Sequence, residues 1–182
     1  MELSGRVVAV AQDAAHRFSK PTVDEIRIIA GLGVEGDSHA GVTVKHRSRV
    51  LRNPDTPNVR QVHLMHQELL DEVADYGYTV HPGELGENIT TRGIDLLALS
   101  ENALMHIGGE VVLRITGLRN PCYQIDEFQP GLLAHMVRKL DDGSIVRKAG
   151  VMSVVVVGGV VRPGDTIRVE VPAGEHVPLQ PV

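Results

Sequence analysis

The chain has 182 residues, 42% of them apolar and 23% charged, which suits one domain with a real core and excludes wholesale disorder. It carries 18 basic against 23 acidic side chains, a formal charge of −5, with only two Phe, three Tyr and no Trp. It therefore lacks the basic, aromatic surface used in nucleic-acid binding, and no apolar run approaches the ~18 residues of a membrane helix.

In chain order, Arg6–Val10 and Glu25–Ala30 read as strands, the second alternating Ile26 and Ile28 with Arg27. Asp13–Asp24 between them shows no apolar period. Gly31–Gly41 is glycine-rich and predicts a shaped loop. Thr43–Asn58, basic and then proline-bearing, reads as an insertion, ordinarily a solvated surface. Gln61–Met65 predicts a strand and Gln67–Asp75 a helix whose Leu69, Leu70, Val73 and Ala74 share one face. Strands follow near Asn88–Thr90, Ala103–Ile107 and Glu110–Thr116, then a short helical stretch at Cys122–Phe128. An amphipathic helix is expected over Gly131–Leu140. Val151–Val157 is a β-branched apolar run, hence a buried strand. Gly158-Gly159 and Arg162-Pro163-Gly164-Asp165 turn the chain, and Thr166–Val171 alternates as a last strand. The tail from Pro172 is expected to fray.

With 19 Gly and 10 Pro punctuating short strands, the expected architecture is mainly β with a few helices (α+β). It is a single closed or nearly closed β-barrel over residues 1–182, with a core at about 5–171 and a tail at 172–182. Closure removes the exposed edges that short strands would otherwise present.

Three constellations carry candidate chemistry. The single cysteine, Cys122, forbids an internal disulfide. It follows Arg119-Asn120-Pro121, where Pro marks a helix start. A thiol in that first turn, with an arginine near it, favours the thiolate and so nucleophilicity or soft-metal ligation; the alternative is a small buried hydrophobe. In Gly33-Val34-Glu35-Gly36-Asp37-Ser38-His39-Ala40-Gly41, the glycines permit close backbone approach, and Asp37 and His39 offer acceptor and donor; alternatively Asp37 caps its own turn. In Gly83-Glu84-Leu85-Gly86-Glu87-Asn88-Ile89, Asn88 either orients a heteroaromatic edge or satisfies local backbone. His63 and His66 invite a zinc reading, but one falls in a strand and the other at a helix start. Neither GxSxG nor HExxH occurs. Met1–Gly5 has no basic start and Val7–Ala11 is too short for a signal-peptide core, so the expected location is cytoplasmic.

These constellations, taken with Arg60-Gln61-Val62-His63-Leu64, Arg119-Asn120-Pro121-Cys122 and Gly158–Asp165, resemble the MOSC domain, the molybdenum cofactor sulfurase C-terminal domain, over about residues 5–171. The resemblance implies a barrel-like domain binding the molybdenum cofactor (molybdopterin), with Cys122 as thiolate to molybdenum. It makes Arg60 and Arg119 candidates for the phosphate or an oxo ligand. Asn88, Asp37 and His39 become candidates for pterin or metal-ligand hydrogen bonds, with Gly36 and Gly86 in the binding loops. The pyridoxal-phosphate domain of the multidomain sulfurases does not fit in this length, so that cofactor is not expected. Standalone bacterial relatives imply an oxidoreductase that reduces N-hydroxylated compounds, with His39 and Asp37 delivering protons. Cys122 serves equally in an alternative, non-catalytic role, carrying sulfur as a persulfide or holding the cofactor for delivery. Expected partners are a small-molecule substrate and an external electron-donor protein, with self-association allowed and neither nucleic acid nor a membrane.

Overall fold

The computed structural model describes residues 3–43 and 55–182. In chain order the elements are β1 (Leu3–Ala11), β2 (Thr22–Val23), β3 (Ile26–Ile29), β4 (Gly33–Val34), β5 (Val62–His66) and α1 (Gln67–Ala74). Next come β6 (Ile89–Arg92), a 3-10 turn at Leu96–Ala98, β7 (Leu104–Ile107), β8 (Val111–Leu118), α2 (Gln124–Phe128) and α3 (Leu133–Met136). The chain finishes with β9 (Val137–Lys139), β10 (Ile145–Arg147), β11 (Val151–Val157), β12 (Gly159–Val161) and β13 (Thr166–Glu170).

Seven strands run in the order β13-β7-β8-β11-β5-β6-β1, and β1 pairs again with β13, from Leu3↔Val169 to Arg6↔Thr166, so the sheet closes into a barrel. β2 extends it as an eighth strand on β1. The barrel is mixed: β5 lies parallel to β6 at Leu64↔Ile89, while its other neighbour, β11, is antiparallel. Alternation in the sequence makes this closure possible. In β13, Ile167 and Val169 are buried while Thr166, Arg168 and Glu170 face outward, and a strand whose apolar face is continuous can turn that face to a common interior. Val7, Val62, Leu64, Ile89, Met105, Leu113, Ile115 and Val151 fill that interior.

β5 is buried on both faces. Val62 and Leu64 belong to the barrel core, whereas Met65 belongs to a second cluster with Leu69, Leu70 and Val73 of α1, Ile125, Leu132 and Met136. The helices thus cover one outer wall of the barrel, and the candidate site lies along that covered wall.

Three expectations change. The helix expected over Gly131–Leu140 ends at Met136, where Val137 turns extended and starts a hairpin with β10. The turn is built by Asp142, whose Oδ1 accepts from the Ser144 N–H and hydroxyl, and by Gly143 at φ +84°. An Asp-Gly turn that pairs its flanks outcompetes a helix period that its own apolar residues also satisfy. The tail is docked instead of frayed: Leu179 is buried in the core, and Leu118 N–H donates to the Gln180 carbonyl at 2.8 Å. Gly159 opens a strand paired with β3 instead of completing a turn. Most of the Thr43–Asn58 insertion lies outside the described residues.

Candidate functional site

The strand β8 ends at Leu118, and Arg119 follows with its backbone N–H donating to the Gly150 carbonyl at 3.0 Å. That bond holds the Arg119–Cys122 segment against the start of β11. Cys122 is half-buried, and its thiol reaches Gln124 Oε1 at 3.6 Å. The helix after it begins only at Gln124, with Tyr123 as its cap. Cys122 therefore precedes the helix instead of sitting in its first turn, and a five-residue helix supplies little field there. The positive charge near the thiol comes from Arg119, which is 9% exposed and electrostatically coupled to both Cys122 and Glu87. Its guanidinium lies 5.9 Å from the centre of the Phe18 ring, and its Nη1 is buried without a partner. Burial lowers the arginine's affinity for its proton, and the charges on Cys122 and Glu87 oppose that.

Next to Arg119 the outer face of β5 presents His63. It is buried, and its Nε2–H donates to the Ala149 carbonyl at 2.8 Å. Burial, reinforced by the positive charges of Arg119, Lys20 and Arg60, pushes it well below the ordinary histidine range, so the ring stays neutral. His66 is half-buried at the cap of α1. No group of three or more His, Cys, Asp or Glu side chains suited to a metal exists among the described residues.

The glycine-rich loop after β4 delivers Asp37 to the same region. Its carboxylate accepts from the Asp13, His39 and Asn88 N–H groups at 3.3, 3.0 and 3.1 Å, and pairs with Lys20 Nζ at 2.9 Å. Burial pushes this carboxyl up, but the hydrogen bond from His39 and the charge of Lys20, with further N–H donors, hold it well below the usual carboxylate range. The His39 side chain is 32% exposed, with Nδ1 3.4 Å from Asp37. Asn58 pins this loop by donating from Nδ2 to the His39 and Gly41 carbonyls, both at 3.0 Å. Its Oδ1 accepts the Arg60 N–H, which fixes the half-buried Arg60 beside the same loop.

Asn88 joins three of these parts. Its Nδ2 donates to Asp37 and to the Ala11 carbonyl, and its Oδ1 accepts the His63 N–H. Gly86 is pressed onto the chain at Phe18, where an added Cβ would come within 2.7 Å of the carbonyl oxygen. Gly36, at φ +76°, has open space in that direction. A groove of about 540 Å³ lined by Arg17, Lys20, His81 and Glu84 opens beside Lys20 and does not reach Cys122.

Two members of this cluster were not singled out from the sequence. Lys20 sits in the Asp13–Asp24 stretch, which has no periodicity to read. Glu87 was visible only as one of two carboxylates between glycines, and nothing local says that it is fully buried.

The family model for the MOSC domain matches residues 37–168, which take in Asp37, His39, Arg60, Asn88, Arg119 and Cys122. The chain belongs to the MOSC domain family. MOSC domains resemble the C-terminal part of molybdenum cofactor sulfurases, and the family is associated with molybdenum cofactor biology. Among solved structures the domain is similar to the YuaD protein from Bacillus subtilis, with a TM-score of 0.76 and 23% identity over 93% of this chain and 97% of that one. It is also similar to YiiM from Escherichia coli, with a TM-score of 0.61 and 18% identity over 94% and 73%. YiiM from Geobacillus stearothermophilus gives 0.58 and 14% over 96% and 77%. At these identities the likeness is one of fold. No curated protein matches the sequence significantly. Among the described residues, no helix of this MOSC domain is long and apolar enough to cross a membrane.

Proposed function

We propose that this MOSC domain binds the molybdenum cofactor through the Cys122 thiolate and reduces N-hydroxylated small molecules. The observation that carries the reading is the half-buried thiol coupled to Arg119, a buried arginine with one guanidinium nitrogen left unpartnered. A soft sulfur donor beside a cation without a full set of acceptors fits a ligand that is both a soft metal and an anion. When bound, the cofactor supplies a two-electron couple and an acceptor for oxygen.

The protein's own groups divide the remaining work. Cys122 holds the metal end. Arg119 and Arg60 face anionic oxygens of the ligand, while the open space at Gly36 admits close approach of the loop backbone. Asn88, with Gly86 packed behind it, fixes the wall on which the ligand rests. Converting an N-hydroxyl to an amine and water takes two electrons, from an external electron-donor protein, and two protons. His39 is the half-buried ring beside Asp37 and carries protons inward. Asp37, held ionised, orients that ring.

The test is reduction of an N-hydroxylated base by the cofactor-loaded protein with a reduced electron donor. Cys122→Ser is expected to abolish turnover, and His39→Gln to lower kcat by about 10²–10⁴ while leaving KM nearly unchanged. Turnover surviving in Cys122→Ser contradicts the reading. Sulfane sulfur on Cys122 with no molybdenum in the wild-type protein replaces it with a sulfur carrier.

A further inference from the structure

Two buried ionisable side chains, Glu87 and Arg119, have hydrogen-bonding capacity that the fold leaves incomplete. Glu87 is fully buried, and its Oε1 accepts from the Gly83 N–H at 2.7 Å and from the Thr90 hydroxyl at 3.0 Å. Its Oε2 is buried with no partner, and so is Arg119 Nη1. The two side chains feel each other's charge, yet they share neither a hydrogen bond nor an ion pair. An unmet buried polar atom costs roughly 1–3 kcal/mol. Two of them, electrostatically coupled, describe a site that a third group completes.

We propose that Glu87 Oε2 and Arg119 Nη1 jointly hold an oxygen of an oxyanionic ligand, making Glu87 a binding residue and not only a structural one. The proposal rests on the reading that an anionic ligand enters beside Cys122, and it names a second, deeper contact for that ligand. Oε1 already accepts two hydrogen bonds, so a proton on this carboxyl resides on Oε2 and makes it a donor. Burial favours that protonated form and outweighs the pull of the Gly83, Glu87 and Thr90 hydrogen bonds and of the Arg119 charge. The other charged neighbours do not replace it. Lys20 is bound by Asp37, and His63 from β5 is neutral. The pair then offers two donors, one permanently cationic and one present only while Glu87 keeps its proton. Anion binding is therefore linked to proton retention and weakens as pH rises through the Glu87 titration.

The experiment is calorimetric titration of the full chain with sulfate, whose charge does not change between about pH 5 and 8. Wild-type affinity is expected to fall with rising pH, approaching about ten-fold per pH unit where one proton is linked. Glu87→Gln keeps an N–H donor that does not titrate, so it should still bind, with a flat profile. Arg119→Gln should lose at least about ten-fold at every pH. Cys122→Ser should keep the sulfate linkage, which separates this site from the metal assignment: loss of metal with the linkage intact overturns nothing here. Molybdate added in parallel distinguishes the source of the oxygen. Linkage with both anions assigns a phosphate-type oxygen, and linkage with molybdate alone, lost in Cys122→Ser, assigns an oxygen on the metal. Should Glu87→Gln fail to fold, infrared difference spectra of the wild type decide, because sulfate must shift the band of a protonated carboxyl. A Glu87→Gln profile as steep as wild type, no carboxyl shift, or equal binding by Arg119→Gln overturns the proposal, the last meaning an adventitious ion only.

Discussion

Asn88 commits both of its amide N–H groups and its carbonyl oxygen within the fold, tying Ala11 at the end of β1, Asp37 in the glycine-rich loop and His63 on β5. Removing the side chain leaves those partners without hydrogen bonds in a buried place. Asn88→Ala should therefore cost about 2–3 kcal/mol in denaturant unfolding; an unchanged midpoint contradicts this role. His63 gives a second residue-level prediction, with a defined sign. Its folded pKa lies well below the ordinary 6.5, so below about pH 6.5 the unfolded chain takes up a proton that the folded chain refuses. Stability attributable to His63 is thus present above that pH and lost as pH falls toward the folded value. His63→Gln should show a smaller drop in unfolding free energy than wild type between about pH 6.5 and 5. Parallel pH profiles contradict it. Cys122 was legible as the candidate thiol because it is the single cysteine. Glu87 was not legible as a buried acid, because burial is decided by the Phe18–Lys20 segment folding over its loop.

At the level of elements, the tight approach of that segment explains the glycines around Glu87. Gly83 sits at φ +85°, and an added Cβ would collide with the Lys20 carbonyl. Gly83→Ala combines a strained backbone with a clash against main chain, so a loss of about 3 kcal/mol or more is expected. The check is thermal unfolding alongside sulfate binding, and a stability equal to wild type would show that the loop is not clamped there. Strands with clean alternation or β-branched runs, such as β11 and β13, were readable from local sequence. So was α1, whose apolar face is continuous. β4, β9 and β12 were not, since two or three residues become a strand only when a partner from elsewhere in the chain lies beside them. The Gly131–Leu140 stretch shows the limit of periodicity: its apolar spacing suits a helix, but the Asp142-Gly143 turn recruits its second half into a hairpin.

At the level of the whole molecule, closure of β1 on β13 completes the barrel whose β5–β6 wall carries His63 and Asn88. Asp37, Asn88 and His63 come from three separate stretches of chain and meet through the Asn88 side chain, while Arg119 lies beside Cys122. The barrel class was visible in the density of short strands and turns, whereas the parallel β5–β6 pairing, which sets His63 beside Asn88, depends on long-range topology. In the function proposed above, Cys122 holds a soft metal through its one sulfur. Molybdenum and pterin content, measured per chain on protein purified from a cofactor-producing host, tests it directly with wild type and Cys122→Ser side by side. Close to one molybdenum per wild-type chain is expected and almost none in the Cys122→Ser protein, with both equally folded by their melting curves. Equal metal in the two proteins would contradict it.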